Sequence, residues 1–185
     1  MHSSAISSEF PFESKYLTVN GSLIHYVDEG AGDPILFIHG NPTSSYIWRN
    51  IIPHVSGDAR CIAVDLIGFG KSDKPADLGA HTFSNHARWM TAFVRKLGIK
   101  NAAAFMQDWG GLIGLRVLAN EPDWLNRLIV ANTALPDVTG IARYLMPFSI
   151  KMMGHLGGKA SVEDFERSLS FRHWLTYFKR AERLE

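Results

Sequence analysis

The sequence has little net charge, a single cysteine and no long apolar run. Its 19 lysines and arginines nearly balance its 18 aspartates and glutamates, which leaves a net charge of +1. A protein with so weak a field is not drawn to nucleic acid or to an anionic membrane surface, and we expect neither as a partner. No apolar run reaches the roughly 20 residues that a membrane-spanning helix needs.

The cysteine and the N-terminal segment bear on the cellular compartment. Cys61 cannot form a disulfide within the chain, and its place in the apolar run CIAV is typical of a small buried side chain. The first residues, MHSSAISSEFPFES, lack the basic start and the apolar core of a secretory signal. We therefore expect a protein of a reducing compartment, the cytoplasm.

Apolar patterning predicts a mostly parallel sheet that is covered by helices on both faces. The segment KYLTVNGSLIHYVDEG alternates apolar and polar residues on either side of Asn20 and Gly21, which predicts a hairpin. From about residue 35 to residue 136, short apolar runs alternate with stretches of helical spacing, and such alternation builds parallel sheets. The predicted strands are PILFI, RCIAV, NAAAFMQ and RLIVAN, and the predicted helices are SSYIWRNIIPHV, residues 82–97 and GGLIGLRVLANE.

The character of the chain changes after its last predicted strand. We interpret residues 1–136 as the N-terminal part of an α/β core domain and residues 137–185 as part of a helical cap, because helical patterning replaces strands there. Some apolar residues of this second part could line a substrate pocket, although their helical spacing also fits core packing: Phe148, Met152 and Phe165.

The stretch FMQDWGGLIG places a carboxylate, Asp108, on a tight bend between a predicted strand and a predicted helix. This is the plan of a nucleophile elbow, in which a sharp turn presents the reactive side chain and the next backbone N–H helps to bind an oxyanion. Gly110 and Gly111 permit the close approach that the turn requires, whereas Met106 departs from the small residue usual before the nucleophile. The simpler alternative is that Asp108 only caps the helix.

Two further motifs follow predicted strands in the order that such a site requires. HGNPTSSYIW, which contains Asn41, follows PILFI, and DLIGFGKSD follows RCIAV. With these three motifs in place, the chain resembles the haloalkane dehalogenases of the α/β-hydrolase superfamily, best from residue 16 to residue 136. The resemblance implies that His39 is structural beneath the loop of the first motif. Asp65 and Asp73 are expected to bond loop amides rather than to catalyse.

The resemblance implies a mechanism and a role for each site residue. Asp108 would be the nucleophile that displaces a halide and forms an alkyl ester, which water then opens to release a primary alcohol. The side-chain N–H groups of Asn41 and Trp109 would bind the departing halide, because that anion needs only donors. The backbone N–H groups of the same two residues would form the oxyanion hole. The partners are a small halogenated aliphatic substrate, water and halide ion, with no metal and no cofactor.

The acid and the base of this mechanism are not apparent in the 185 residues. In the superfamily both follow the nucleophile in the chain. The later histidines, His155 and His173, lie in the helical part, and the neutral Asn132 stands where some family members carry the acid. We therefore expect the acid, the base and the last strands beyond Glu185, in a longer dehalogenase-like protein. Alone, the chain would not turn over, and RLIVAN would have an unpaired apolar edge.

Three other interpretations stay open. An epoxide hydrolase would use the same aspartate elbow with tyrosines of the cap, for which Tyr144 and Tyr177 are available, although Asn41 and Gln107 favour the dehalogenase. A coelenterazine-type luciferase shares the HGN and DWG motifs. A non-catalytic relic of the fold, acting as a binding module, would explain why the histidine base is missing.

Overall fold

The computed structural model describes residues 6–133. Within them six strands form one sheet in the order β1-β2-β4-β3-β5-β6. The strands are β1 Lys15–Val19, β2 Ser22–Glu29, β3 Pro34–Ile38, β4 Arg60–Val64, β5 Ala102–Gln107 and β6 Leu125–Ala131. The helices are α1 Ile52–Val55, α2 Phe83–Lys96 and α3 Trp109–Asn120, with 3-10 turns at Ser45–Trp48, Leu78–Ala80 and Pro122–Trp124.

Several expectations concern residues that the structure does not describe. The boundary between residues 136 and 137 lies outside residues 6–133, and so does the helical cap. The three apolar residues proposed for the substrate pocket also lie outside the described residues: Phe148, Met152 and Phe165. Their roles stay predictions.

The sheet has the predicted topology. β1 and β2 form an antiparallel hairpin whose turn residues, Asn20 at φ 48° and Gly21 at φ 79°, have the left-handed conformation that a two-residue hairpin turn needs. β2 pairs antiparallel with β4, whereas β4, β3, β5 and β6 are parallel neighbours. The mostly parallel sheet is therefore confirmed.

Strand alternation sends apolar side chains to two cores, one on each face of the sheet. Along β3, Leu36 and Ile38 join the core beneath α2 and α3, while Phe37 joins a second core on the opposite face. Residues of the N-terminal segment and of the chain after β3 cover that second face, among them Phe10, Phe12, Trp48 and Ile52. The helices on both faces are confirmed.

The cover on the second face differs from the expected single helix over SSYIWRNIIPHV. A 3-10 turn, Ser45–Trp48, and the one-turn helix α1 replace it. Pro53 explains the break, because a proline has no N–H for an intrahelical bond and clashes with the preceding turn, so it is tolerated only at a helix start.

β6 lies at the edge of the described sheet. Among residues 6–133 its pairing partner is β5, and Leu128, Ile129 and Val130 are between 42% and 56% exposed. Strands of parallel sheets are ordinarily covered on both faces. The expected apolar edge is therefore present in the part of the chain that the structure describes.

Two glycines of α3 let this helix lie close against the sheet. A Cβ built on Gly110 would lie less than 3.0 Å from the carbonyl oxygens of Ile38 and His39, and one built on Gly114 would overlap the side chain of Met106. In the usual motif a small residue on the strand makes room for the helix. Here the glycines of α3 make that room instead. This explains why Met106, which is fully buried, is accommodated before the elbow.

A buried carboxylate ties together the loops that follow β3 and β4. Asp65 accepts hydrogen bonds from His25 Nδ1 (2.7 Å), Ser45 N–H (2.7 Å) and Lys71 N–H (2.8 Å). Ser72 Oγ donates to the Asp65 carbonyl at 2.6 Å. Burial by itself would raise the pKa of Asp65, but these donors outweigh it and lower the pKa to about 2. As expected, this aspartate bonds loop amides.

The other aspartate of the same loop bonds a strand amide and not a loop amide as expected. Asp73 Oδ2 accepts a hydrogen bond from the backbone N–H of Leu23 at 2.7 Å, and the Asp73 backbone N–H donates to the Leu23 carbonyl. The loop after β4 is therefore also fastened to the β1–β2 hairpin.

We predict that Gly110→Ala destabilises the protein by about 1–3 kcal/mol, because the new methyl group meets backbone oxygens that cannot move aside. Gly57→Ala is the matched control, since a Cβ at Gly57 meets nothing within 4 Å. Urea unfolding of both variants measures the difference. Equal stability of the two variants would show that α3 can shift away from β3 without cost.

We also predict that Asp65 contributes to acid unfolding. Because the folded-state pKa is about 2 and the unfolded value about 3.8, its stabilisation is complete above pH 4 and is lost as the pH falls toward 2. Protonation of Asp65 lowers the free energy of unfolding by about 2 kcal/mol over this pH range. Urea unfolding between pH 5 and pH 2 should give a shallower decline for Asp65→Asn than for the unsubstituted protein, and parallel declines would contradict the assignment.

Candidate active site

The elbow residue has a backbone conformation that only its surroundings can maintain. Asp108 lies at φ 53° and ψ −126°, in the left-handed half of conformational space. For a residue other than glycine this costs on the order of 1–3 kcal/mol. Its N–H donates to the Ala131 carbonyl (3.1 Å), and its carbonyl accepts from Gly111 N–H (3.0 Å) and from Thr133 Oγ1 (2.7 Å). Both the backbone N–H and the backbone C=O of Asp108 are thus hydrogen-bonded within the protein.

The Asp108 carboxylate faces the neighbouring loop and not the start of its own helix. α3 begins at Trp109 without a side-chain capping bond from Asp108. Instead, Oδ1 accepts a hydrogen bond from the backbone N–H of Asn41 at 2.8 Å. A bond from an N–H to a carboxylate is charge-assisted and stronger than one between neutral groups. The alternative that this aspartate only caps a helix therefore does not describe the site.

The loop after β3 is shaped to reach this carboxylate. Gly40 N–H bonds to Gln107 Oε1 at 3.3 Å, and the Gly40 carbonyl accepts from Thr43 N–H (3.0 Å) and Thr43 Oγ1 (2.9 Å). A Cβ on Gly40 would overlap the Asp108 side chain, so no other residue fits between the loop and the elbow. These bonds fix the direction of the Asn41 N–H.

The histidine that precedes Gly40 is structural. His39 is fully buried, and Leu66 N–H donates to its Nε2 at 3.0 Å, so Nε2 carries a lone pair and no proton. The proton is then on Nδ1, which donates to the Gly40 carbonyl at 2.8 Å. Burial is the main cause that lowers the pKa of His39, against the opposing effects of the Gly40 carbonyl, Asp65 and Asp108. Since both ring nitrogens are occupied, this residue cannot accept a proton from water.

The two residues next to Asp108, Trp109 in the chain and Asn41 through its backbone N–H, each carry a side-chain N–H group. Trp109 is partly buried at the first turn of α3, and its ring lies 6.4 Å from that of Phe83. Asn41 is exposed next to the elbow. Among residues 6–133 neither the Trp109 indole N–H nor the Asn41 side-chain amide has a protein hydrogen-bond partner. Both can therefore donate to a ligand.

The structure brings together the three residues that the sequence places at the centre of the site: Asp108, Asn41 and Trp109. It also shows two that sequence reasoning did not single out, Gly40 and Thr133, and it places the Gln107 side chain in a bond with the Gly40 N–H. Gly40 could have been identified from the HG motif. Thr133 carries no local signal, since only strand register brings it to the elbow.

The described residues offer a carboxylate and hydrogen-bond donors but no metal site. Within residues 6–133, no group of three or more His, Cys, Asp or Glu side chains is placed to hold a metal ion. The arrangement can deliver a carboxylate oxygen to an electrophile and stabilise an anion beside it.

No helix within residues 6–133 is long and apolar enough to cross a membrane.

Comparison with known proteins supports the resemblance. The chain is 43% identical over 139 residues to a haloalkane dehalogenase of Mycobacterium marinum, a match that covers 71% of this chain and 47% of the relative. A haloalkane dehalogenase DbeA loop variant from Bradyrhizobium elkanii has a similar structure, with a TM-score of 0.64 and 32% identity over 78% of this chain and 50% of that one. The epoxide hydrolase CorEH gives a TM-score of 0.65 and 30% identity, and the match covers 78% of this chain and 52% of that one.

The chain spans about half the length of the curated relatives that it matches. Residues 33–156, about two thirds of the chain, match the family model described as the alpha/beta hydrolase fold. This match includes β3 and β5 with the loops that carry Asn41 and Asp108. The chain therefore belongs to the α/β-hydrolase fold family.

Proposed function

We propose that the protein contributes the nucleophile of a hydrolytic dehalogenase, which converts a small haloalkane and water to a primary alcohol and halide. The observation that carries the proposal is the Asp108 carboxylate, held at a strained elbow by the backbone N–H of Asn41. The similarity to haloalkane dehalogenases over about 70% of the chain supports it.

The hydrogen bond to Asn41 assigns different roles to the two carboxylate oxygens. Oδ1 is occupied by the Asn41 N–H, so Oδ2 is the oxygen free to attack. Its lone pair forms a bond to the carbon that bears the halogen, and the carbon–halogen bond breaks with its electron pair leaving on the halide. The side-chain N–H groups of Asn41 and Trp109 donate to that halide.

The second step uses the same backbone donors. Water adds to the ester carbon Cγ, the negative charge develops on Oδ1, and the alcohol leaves as the carboxylate re-forms. The backbone N–H of Asn41 already donates to Oδ1, and the N–H of Trp109 comes next to the elbow in the chain. A donor directed at the atom that becomes negative lowers the barrier without reorganisation.

This second step also needs a base to take a proton from water. His39 cannot supply one, because both of its ring nitrogens are bonded. His86 is a weak base, since burial and then the charges of His81 and His39 lower its pKa to about 4. We infer that residues 6–133 support ester formation, and that a polypeptide of the 185 residues stops at the ester.

An epoxide hydrolase is the second candidate function, because CorEH shares the fold to the same degree. That reaction would attack carbon with the same Asp108 oxygen and open a ring whose oxygen needs a proton donor. The free N–H groups of Asn41 and Trp109 favour a halide, which only accepts hydrogen bonds.

We propose a cytoplasmic location on the evidence of Cys61. Its thiol is free and fully buried, and burial, with Asp28 and Glu29 nearby, raises its pKa to about 11. A buried thiol of this kind behaves as a small apolar side chain.

We predict that a brominated alkane modifies the 185-residue polypeptide once, at Asp108. Halide release should stop at about one equivalent per chain, as expected for a covalent intermediate that is not hydrolysed. Peptide mass spectrometry should locate the alkyl group on Asp108, and Asp108→Asn should abolish both signals because an amide is not a nucleophile.

The matched control for this experiment is Asp77→Asn, which removes a carboxylate that accepts a hydrogen bond from the backbone N–H of Gly79 in a 3-10 turn and is not part of the proposed site. It should take up the alkyl group as the unsubstituted chain does. Sustained halide release would contradict the assignment of a missing base, and no adduct at all would contradict the proposed function.

We predict that brominated alkanes of matched size modify Asp108 faster than the corresponding epoxides, because the N–H groups of Asn41 and Trp109 can donate to a halide but do not give up a proton to a ring oxygen. Competition between the two compounds, read as the ratio of adduct masses, measures the preference. Asn41→Leu removes one halide donor and should reduce the alkane adduct by about 10-fold while changing the epoxide adduct less. Faster modification by the epoxide would favour the second function.

A further inference from the structure

We propose that Thr133 is a positioning residue for the nucleophile. Its hydroxyl holds the peptide that links Asp108 to Trp109 and so sets the direction of the attacking carboxylate and of one oxyanion donor. The inference rests on the proposed role of Asp108. Nothing in the sequence motif of the elbow points to this residue, which lies 25 positions further along the chain.

The turn after β6 holds both backbone polar groups of the nucleophile. Asp108 N–H donates to the Ala131 carbonyl at 3.1 Å, and Thr133 Oγ1 donates to the Asp108 carbonyl at 2.7 Å. Asn132, between these two partners, is itself left-handed at φ 49°, which turns the chain so that the residues on either side of it reach the two peptide groups that flank the Asp108 Cα. A strained conformation persists only where its surroundings over-determine it, and this turn supplies that constraint.

The Thr133 side chain is itself confined. A Cβ built on Gly111 would lie less than 3.0 Å from Oγ1, Cβ and Cγ2 of Thr133, so the side chain rests directly on the backbone of α3. A β-branched side chain has few favourable rotamers. Contact with Gly111 therefore keeps the hydroxyl directed at the Asp108 carbonyl.

The held peptide carries a group of the proposed site. In a trans peptide the C=O and the next N–H point in opposite directions. When Thr133 fixes the Asp108 carbonyl, it also fixes the N–H of Trp109, which is the second proposed oxyanion donor. The same bond constrains ψ of Asp108, at −126°, and the peptide plane beside its carboxylate. Thr133 thus acts through Asp108 and Trp109, without touching the substrate.

The test compares Thr133→Val, which keeps the shape and removes the hydroxyl, with Thr133→Ser, which keeps the hydroxyl. In single-turnover alkylation by a brominated alkane, Thr133→Val should lower the maximal rate constant about 10- to 100-fold, the size of effect that a misplaced nucleophile produces. The half-saturating concentration should stay within about twofold, because the residue touches no substrate. Thr133→Ser should restore the rate to within about threefold.

Thr91→Val is the matched control. Thr91 Oγ1 donates to the Ala87 carbonyl at 2.8 Å within α2 and accepts from Asn120 Nδ2 at 3.3 Å, so this variant loses the same kind of donated bond, together with one accepted bond, away from the elbow. It should alkylate at the unsubstituted rate even if its melting temperature falls. If Thr133→Val does not fold, Thr133→Ala replaces it, since alanine removes the hydroxyl and places no new methyl group against Gly111.

A second readout does not depend on activity. In amide NMR spectra, Thr133→Val should displace the Asn41 and Trp109 backbone resonances, Thr133→Ser should return them, and Thr91→Val should leave them unmoved. If the unsubstituted chain forms no ester, the proposed function fails, while these resonances still decide the role of Thr133. Unmoved resonances, an unchanged alkylation rate in Thr133→Val, or equal losses in Thr133→Val and Thr133→Ser would each overturn the inference.

Discussion

The candidate site depends on one hydrogen bond, from the Asn41 backbone N–H to the Asp108 carboxylate. It is possible because β3 and β5 are parallel neighbours, with Ile38 opposite Met106, so that the loops after them begin at the same edge of the sheet. Gly40 then removes the Cβ that would separate the two loops. Parallel pairing brings the two loops to the same edge of the sheet, and the absence of a side chain at Gly40 lets them come within hydrogen-bonding distance.

The elbow conformation is unfavourable by itself and is maintained by three neighbouring elements. The turn after β6 bonds the Asp108 peptide groups, α3 donates from Gly111, and the loop after β3 donates from Asn41. Asp65, which follows β4, accepts a hydrogen bond from the backbone N–H of Ser45 and so holds the loop after β3 in place. Strain of about 1–3 kcal/mol is therefore held by several bonds, of which the one from the Thr133 side chain can be removed by a single substitution. A rigid scaffold built in this way positions a reactive group before substrate arrives.

Local patterns predict most of this arrangement, and contacts between distant segments account for the rest. The hairpin at Asn20 and the elbow at Asp108 follow from turn residues between apolar runs. These signals are local and can be recognised without knowing how distant segments pack. The role of Thr133 depends on the pairing of β5 with β6, and the residues around Thr133 do not predict the register of that pairing. Similarly, Met106 breaks the usual small-residue pattern only until Gly114, eight positions later, is found opposite it.

The chemistry of the described residues is one-sided, and hydrogen-bond directions show why. The Asp108 carboxylate accepts the backbone N–H of Asn41 on its Oδ1, which favours the negative charge. Three histidines of the described residues are hydrogen-bonded within the fold. His39 uses both nitrogens within the fold, His25 shares its Nδ1 with Asp65, and His81 Nε2 bonds the carbonyl of Pro75. The hydrogen bond to Asn41 thus favours an anion at Asp108, whereas His39 offers no nitrogen to take a proton. In the proposed reaction these residues support formation of the ester, and its hydrolysis requires a base other than His39.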